Sequence, residues 1–187
     1  MLDETLVASL AVETTATAIA YATLGALARV AGWRVGVVLL AHAAVAALAY
    51  ALAGRSDGLL VARALVAAEA VGAAGLGALL ARLAGDSSVG AALATGLALT
   101  ALFALPLSEG FDPSPATRGR AAALSPLLAT ARAHGVDALR LPVLYRRAPS
   151  AVREYSLAPL GTSLLLWALP GALLLAAPLI RRSNANA

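Results

Sequence analysis

Four apolar stretches of roughly twenty residues, then a polar, arginine-bearing segment, then a fifth apolar stretch divide this chain. A run of about 18 or more apolar residues is long enough to cross hydrocarbon as a helix, and a helix satisfies its backbone polar groups without water. The expected fold is therefore all-α: a polytopic integral membrane bundle of about five transmembrane helices, multi-pass in a cell membrane. A single domain over 1–187 suffices, with a surface loop region at 108–159 carrying short interfacial helices between helices 4 and 5.

Composition agrees with lipid as the main solvent. The chain is 60% hydrophobic and 13% charged, with a mean hydropathy of +0.83, which leaves too little polar surface for a water-soluble domain of this size. Cysteine is absent, so disulfides, thiolate nucleophiles and sulfur-ligated zinc or iron are excluded. All 14 basic residues are arginine, and alanine fills the apolar positions, a bias expected of a GC-rich prokaryotic genome. The first five residues hold two acids and no base. A secretory signal opens with positive charge, so the first apolar stretch is expected to persist as a span.

The five spans are read at about 6–27, 35–53, 59–83, 89–107 and 160–180. Gly54 to Gly58 and Gly85 to Ser88 are turns by composition, since glycine, serine and aspartate supply turn dihedrals and local hydrogen bonds. Ser87 or Ser88 is the expected N-cap of span four. Span five is expected to kink at Pro170. Residues 108–159 hold six prolines, four acids and seven arginines and do not read as a span. Within them Ser125-Pro126, followed by an apolar run and Gly135, has the cap, first-turn proline and glycine stop of a short helix. A second short helix is expected near 150–156. Both should lie along the headgroups, apolar side down.

Arginine placement sets the expected orientation. Five spans put Arg55 and the seven loop arginines on one side, and Arg29, Arg34, Arg82, Arg181 and Arg182 on the other. Eight against five favours a cytoplasmic N-terminus and long loop.

Small residues recur at four-residue intervals. Thr14, Ala18, Ala22 and Ala26 form one row in span one; Ala73, Gly77 and Ala81 continue from Glu69 in span three, beside a row of Ala68 and Gly72. Such rows let helix backbones approach closely where lipid offers no hydrophobic gain. They are expected to pack helices within the chain, or against a second copy or another membrane subunit.

Ionisable groups inside spans are the candidate functional residues, because a charge at mid-bilayer costs about 2.5–3.5 kcal/mol even on lenient scales. These are Glu69, Glu13, His42 and Arg63, with Tyr50 on the face of His42. Arg63, one turn into its helix, is expected to reach back to the headgroups, and Glu13 is read either as buried or as interfacial. Glu69 is deepest, with no acid or base within four residues. It is expected to be a proton or cation site, or to be held by an arginine from another helix.

Other chemistry finds no footing in the sequence. His42 and His134 lack metal-ligand spacing, and no nucleophile elbow is present; no catalytic residue, metal or cofactor is expected. The loop arginines Arg118, Arg120, Arg132, Arg146 and Arg147 lack aromatic interleaving, so anionic lipid or an acidic partner is the expected contact and nucleic acid is not. Asp57-Gly58 with Ala62-Arg63 resembles an element of CDP-alcohol phosphotransferases, but the spacing differs and the later paired aspartates are missing. Four spans, a basic helical loop and a final span resemble the layout of the T component of energy-coupling-factor transporters, without that family's compact Ala-Arg-Gly signature. The functional expectation is a transport-related membrane protein, either a small carrier or the membrane subunit of a transport complex. A non-catalytic scaffold or assembly subunit is the alternative, and an intramembrane lipid-modifying enzyme the third.

Overall fold

A computed structural model describes residues 2–27, 57–102, 114–138 and 159–185. All regular structure among the described residues is helical: α1 (Leu2–Leu27), α2 (Asp57–Ala84), α3 (Ser87–Leu102), α4 (Pro115–Leu124), α5 (Pro126–Ala133) and α6 (Leu160–Ala185). At 1.5 Å per residue, α1 and α2 reach about 39 and 42 Å, beyond the roughly 30 Å of bilayer hydrocarbon. The segments Glu4–Leu27 and Gly58–Ala84 are long and apolar enough to cross a membrane; Ser87–Leu102 and Leu160–Leu175 are shorter apolar helices. Span two lies outside the described residues, as do 103–107 of span four.

Helix α2 is the centre of the bundle, touching α1, α3, α5 and α6. Each contact is made where a side chain is missing. A methyl group added to Gly77 would overlap the backbone of Ala22 on α1, and one added to Gly25 would overlap Ala74 on α2. Gly90 of α3 sits in the same way on Ala81, and Gly171 of α6 on Val71 and Gly72. Both small-residue rows therefore face a neighbouring helix: Thr14, Ala18, Ala22, Ala26, Ala73 and Ala81 are fully buried. Backbones this close gain dispersion contacts along the whole crossing.

Pairings along these contacts give the helix directions. Glu13 meets Arg63 and, three turns on, Ala22 meets Gly77, so α1 and α2 run parallel. Trp167 lies against Gly72 and Gly171 against Gly75, which makes α6 parallel to α2 as well. The turn at Gly85 and Asp86 sends α3 back antiparallel to α2, with Gly90 against Ala81. Gly85 takes a φ of 73°, a conformation a side chain would strain. The cap of α3 is Asp86 rather than either serine: its Oδ1 accepts from the backbone N–H of Ser88 at 2.6 Å and of Val89 at 3.2 Å. A carboxylate serves two N–H groups and complements the helix dipole, which a hydroxyl does not.

The polar segment builds one end of the bundle. Ser125 caps α5 and also donates its Oγ proton to the Leu102 carbonyl at 3.0 Å, tying α5 to the end of α3. At the other end of α5, Gly135 takes a φ of 76°, and Val136 N–H closes on the Ala131 carbonyl at 3.0 Å. Ala129, Thr130 and Ala131 are buried, with Ala131 against Leu10 and the partly buried Leu6 and Val7 of α1. Three small residues in succession let α5 pack closely against both α1 and α2. Helix α4 begins on Ser114 and Pro115 with the same cap geometry, and Trp167 of α6 donates its indole N–H to the Leu124 carbonyl at 3.0 Å. Helix α6 continues unbroken past Pro170 and Pro178, where a kink was expected at Pro170; that proline is exposed, beside the close contact at Gly171.

Candidate functional site

Beneath α5, three helices contribute ionisable side chains to one place. Parallel packing of α1 and α2 brings Glu13 level with Arg63, and an Arg63 Nη1–H donates to Glu13 Oε1 in an ion pair. The pair is half-buried, with side chains 24% and 30% exposed. Arg63 is therefore anchored to a carboxylate on the adjoining helix. Its Nε is buried without a hydrogen-bond partner among the described residues.

Glu69 lies six residues further along α2, on the row that continues through Ala73 and Gly77, and is fully buried. Neither of its carboxylate oxygens has a hydrogen-bond partner among the described residues. No arginine among the described residues holds it. Glu13 is near enough for its charge to be felt at Glu69. The hydroxyls of the same bundle behave differently: Thr14, Thr23 and Thr100 each donate to a carbonyl one turn back, at 2.8 Å. Hydroxyls can be satisfied within their own helix. A carboxylate accepts only, and in a helix interior every N–H is already used.

The third contributor is His134, the C-terminal cap of α5. Its backbone N–H closes on the Thr130 and Ala131 carbonyls at 3.2 and 3.1 Å. The ring is half-buried, and Nε2 is buried with no partner among the described residues. Burial, and secondarily the Arg63 guanidinium, hold its pKa below the ordinary imidazole value, against an upward pull from the Glu13 carboxylate. One turn earlier on the same face, the Thr130 Oγ1 is also buried and unpartnered among the described residues. Sequence reading left His134 in a surface loop. The detectable signal was its place at the end of a capped helix with small residues on the face it shares.

Of the other sequence candidates, His42, Tyr50, Arg146 and Arg147 lie outside the described residues. Arg118 falls in α4, while Arg120 and Arg132 are exposed; Arg132 borders a shallow crevice lined by Ala122, Ala129, Leu160 and the buried Ser163. Among the described residues no three acid or histidine side chains converge in a metal-binding arrangement. Chemically, the cluster offers a permanent cation paired with one acid, a second acid with free lone pairs, and an imidazole that burial holds below its ordinary pKa. No protein-family profile, curated protein or solved structure matches the chain.

Proposed function

We propose that the chain spans a cell membrane five times and serves transport, as a small carrier or as the membrane subunit of a transport complex, with Glu69 as its proton-binding group. The membrane reading draws support from an inverted distribution of side chains. Small residues dominate the interior, where Leu10, Leu65, Val66 and Leu102 are the large apolar members beside Glu69, while Val12, Leu93, Leu97, Leu165, Leu169 and Leu173 are 51–71% exposed. A water-soluble bundle would bury its largest apolar groups; a bundle in lipid has no reason to. The five-span count draws support from direction: α1, α2 and α6, read as spans one, three and five, are parallel, and α3, read as span four, is antiparallel. Under this reading residues 35–53 form the return span.

The observation that carries the functional reading is Glu69, fully buried with both oxygens unpartnered among the described residues, beside an ion pair that leaves it no countercharge. So costly a group at that depth is expected where a protein uses it. Arg120 and Arg132, exposed at the α4–α5 end, are positioned for anionic headgroups, and the arginine bias assigns that end to the cytoplasm.

Two experiments test this. Single cysteines at Ser114 and Ser87, in a chain that has none, should label from opposite sides of sealed vesicles, Ser114 from the cytoplasmic side; labelling from one side removes the five-span reading. Purified protein in vesicles should accelerate the decay of an imposed pH gradient, and Glu69→Gln should abolish the acceleration. Equal decay with parent and variant would remove the role given to Glu69.

A further inference from the structure

Glu69 is enclosed, so a proton must be delivered to it, and among the described residues the unpartnered buried polar atoms outside Glu69 itself lie at Arg63 on α2 and at the end of α5. Helix α5 lies over the start of α2, close enough that a side chain on Gly58 would overlap the Ala133 carbonyl, and over α1 at Leu10. Arg63 and Glu13 follow those two contacts by five and three residues. The C-terminal end of α5 therefore stands above the ion pair, with His134 Nε2 turned inward and the Thr130 hydroxyl one turn back on the same face. With Arg63 Nε and the two oxygens of Glu69, the buried polar atoms unpartnered among the described residues all belong to α2 and α5. Buried polar groups in proteins are paired or hydrated. Here they are gathered on two touching helices, α2 and α5.

We infer that His134 is the relay through which protons pass between the aqueous phase at the α4–α5 end and Glu69. The inference rests on the proton-binding role proposed for Glu69 and adds its route. Each step balances. A proton accepted at Nδ1 gives the imidazolium; release of the Nε2 proton, through hydrogen-bonded water, restores neutral imidazole and converts the Glu69 carboxylate to the acid. Returning the proton along the same route resets both groups.

Charges around the relay suit it. From α1 comes Glu13 and from α2 come Arg63 and Glu69. On α5 itself Arg132 is exposed and on α4 Arg120 is exposed, while α3 and residues 160–175 of α6 carry no ionisable side chain. Arg63 disfavours a long-lived imidazolium, so His134 gives up its proton readily, and Glu13 keeps that bias from shutting off uptake. Thr130 both accepts and donates, so it can bridge from the imidazole towards α2.

The test is hydrogen–deuterium exchange of the Glu69 carboxyl, followed by infrared spectroscopy on the full chain in vesicles across a pH titration. The carboxyl band is assigned by its loss in Glu69→Gln. In His134→Ala the exchange should slow by at least about a hundredfold, the lower end for losing a proton-transfer group, and added imidazole should restore it. Thr130→Val should slow it less. Unchanged exchange in His134→Ala overturns the relay. Slowed exchange that imidazole does not restore, but that His134→Gln does, also overturns it, because the side chain would then be holding α5 in place. Absence of any band that depends on Glu69 would remove the proton-binding reading, and the relay with it.

Discussion

The two halves of α2 solve different problems with one helix. From Ala70 to Ala81 it presents alanine and glycine to α1, α3 and α6, and the contacts are backbone on backbone. From Gly58 to Glu69 it carries an arginine, a glutamate and a set of unpartnered polar atoms, roofed by α5. The first half needs nothing from chemistry except the absence of side chains, and it supplies cohesion. The second holds an ion pair and a buried carboxyl without a partner among the described residues. On the membrane reading proposed above, where burying leucine yields little, cohesion and the proposed function are separated by side-chain size and polarity rather than by inside and outside.

The sharpest break of this contrast is Gly77→Leu. The added side chain meets the backbone of Ala22, which no rotamer avoids, so the expected loss is at the upper end of overpacking, about 3 kcal/mol, seen as a large fall in the thermal midpoint in detergent. Unchanged stability would mean that the α1–α2 seam is not what holds the bundle. Gly96→Leu, at a glycine with open space around it, should be nearly neutral.

A smaller effect is expected in the polar half. Arg63→Met leaves Glu13 without its partner, at a cost of about 2 kcal/mol, below that for a fully buried pair because both side chains keep some exposure. Removing both charges in Arg63→Met with Glu13→Gln should recover most of it. If the double variant is as unstable as the sum of the two singles, the pair has no mutual energy and the packing between α1 and α2 at that level carries the loss.

The seam was legible from the sequence because its information is local: a four-residue spacing of small side chains reads the same in sequence as in space. Helix α5 was legible for the same reason, through Ser125, Pro126 and Gly135. Helix α4 carries the same signature in Ser114 and Pro115 and was overlooked among the prolines around it. The polar cluster was only half legible. Glu13, Arg63 and Glu69 stand out as ionisable groups in apolar helices, but the pairing of residues fifty positions apart depends on α1 and α2 running parallel, and the entry of His134 depends on α5 packing against both. Neither is encoded in a local pattern.

The smallest expected effect is a pH dependence. The lowered pKa of His134 means that the folded chain binds fewer protons there than the unfolded chain, so this residue adds stability above the ordinary imidazole value, about 6.5. That contribution is lost as pH falls through the lower folded value. His134→Gln should therefore flatten the decline in thermal midpoint between about pH 7 and pH 5. An identical decline in both proteins would mean that Nε2 is not shielded as its burial implies.

The most direct test of the division between a cohesive half and a working half is Glu69→Gln, measured as pH-gradient decay in vesicles with equal amounts of inserted, folded protein. The account predicts decay no faster than in protein-free vesicles from a variant at least as stable as the parent, since an unpartnered buried carboxylate is replaced by a neutral amide of the same shape. Decay equal to the parent's would contradict it, leaving Glu69 as one more packing residue in the seam it adjoins.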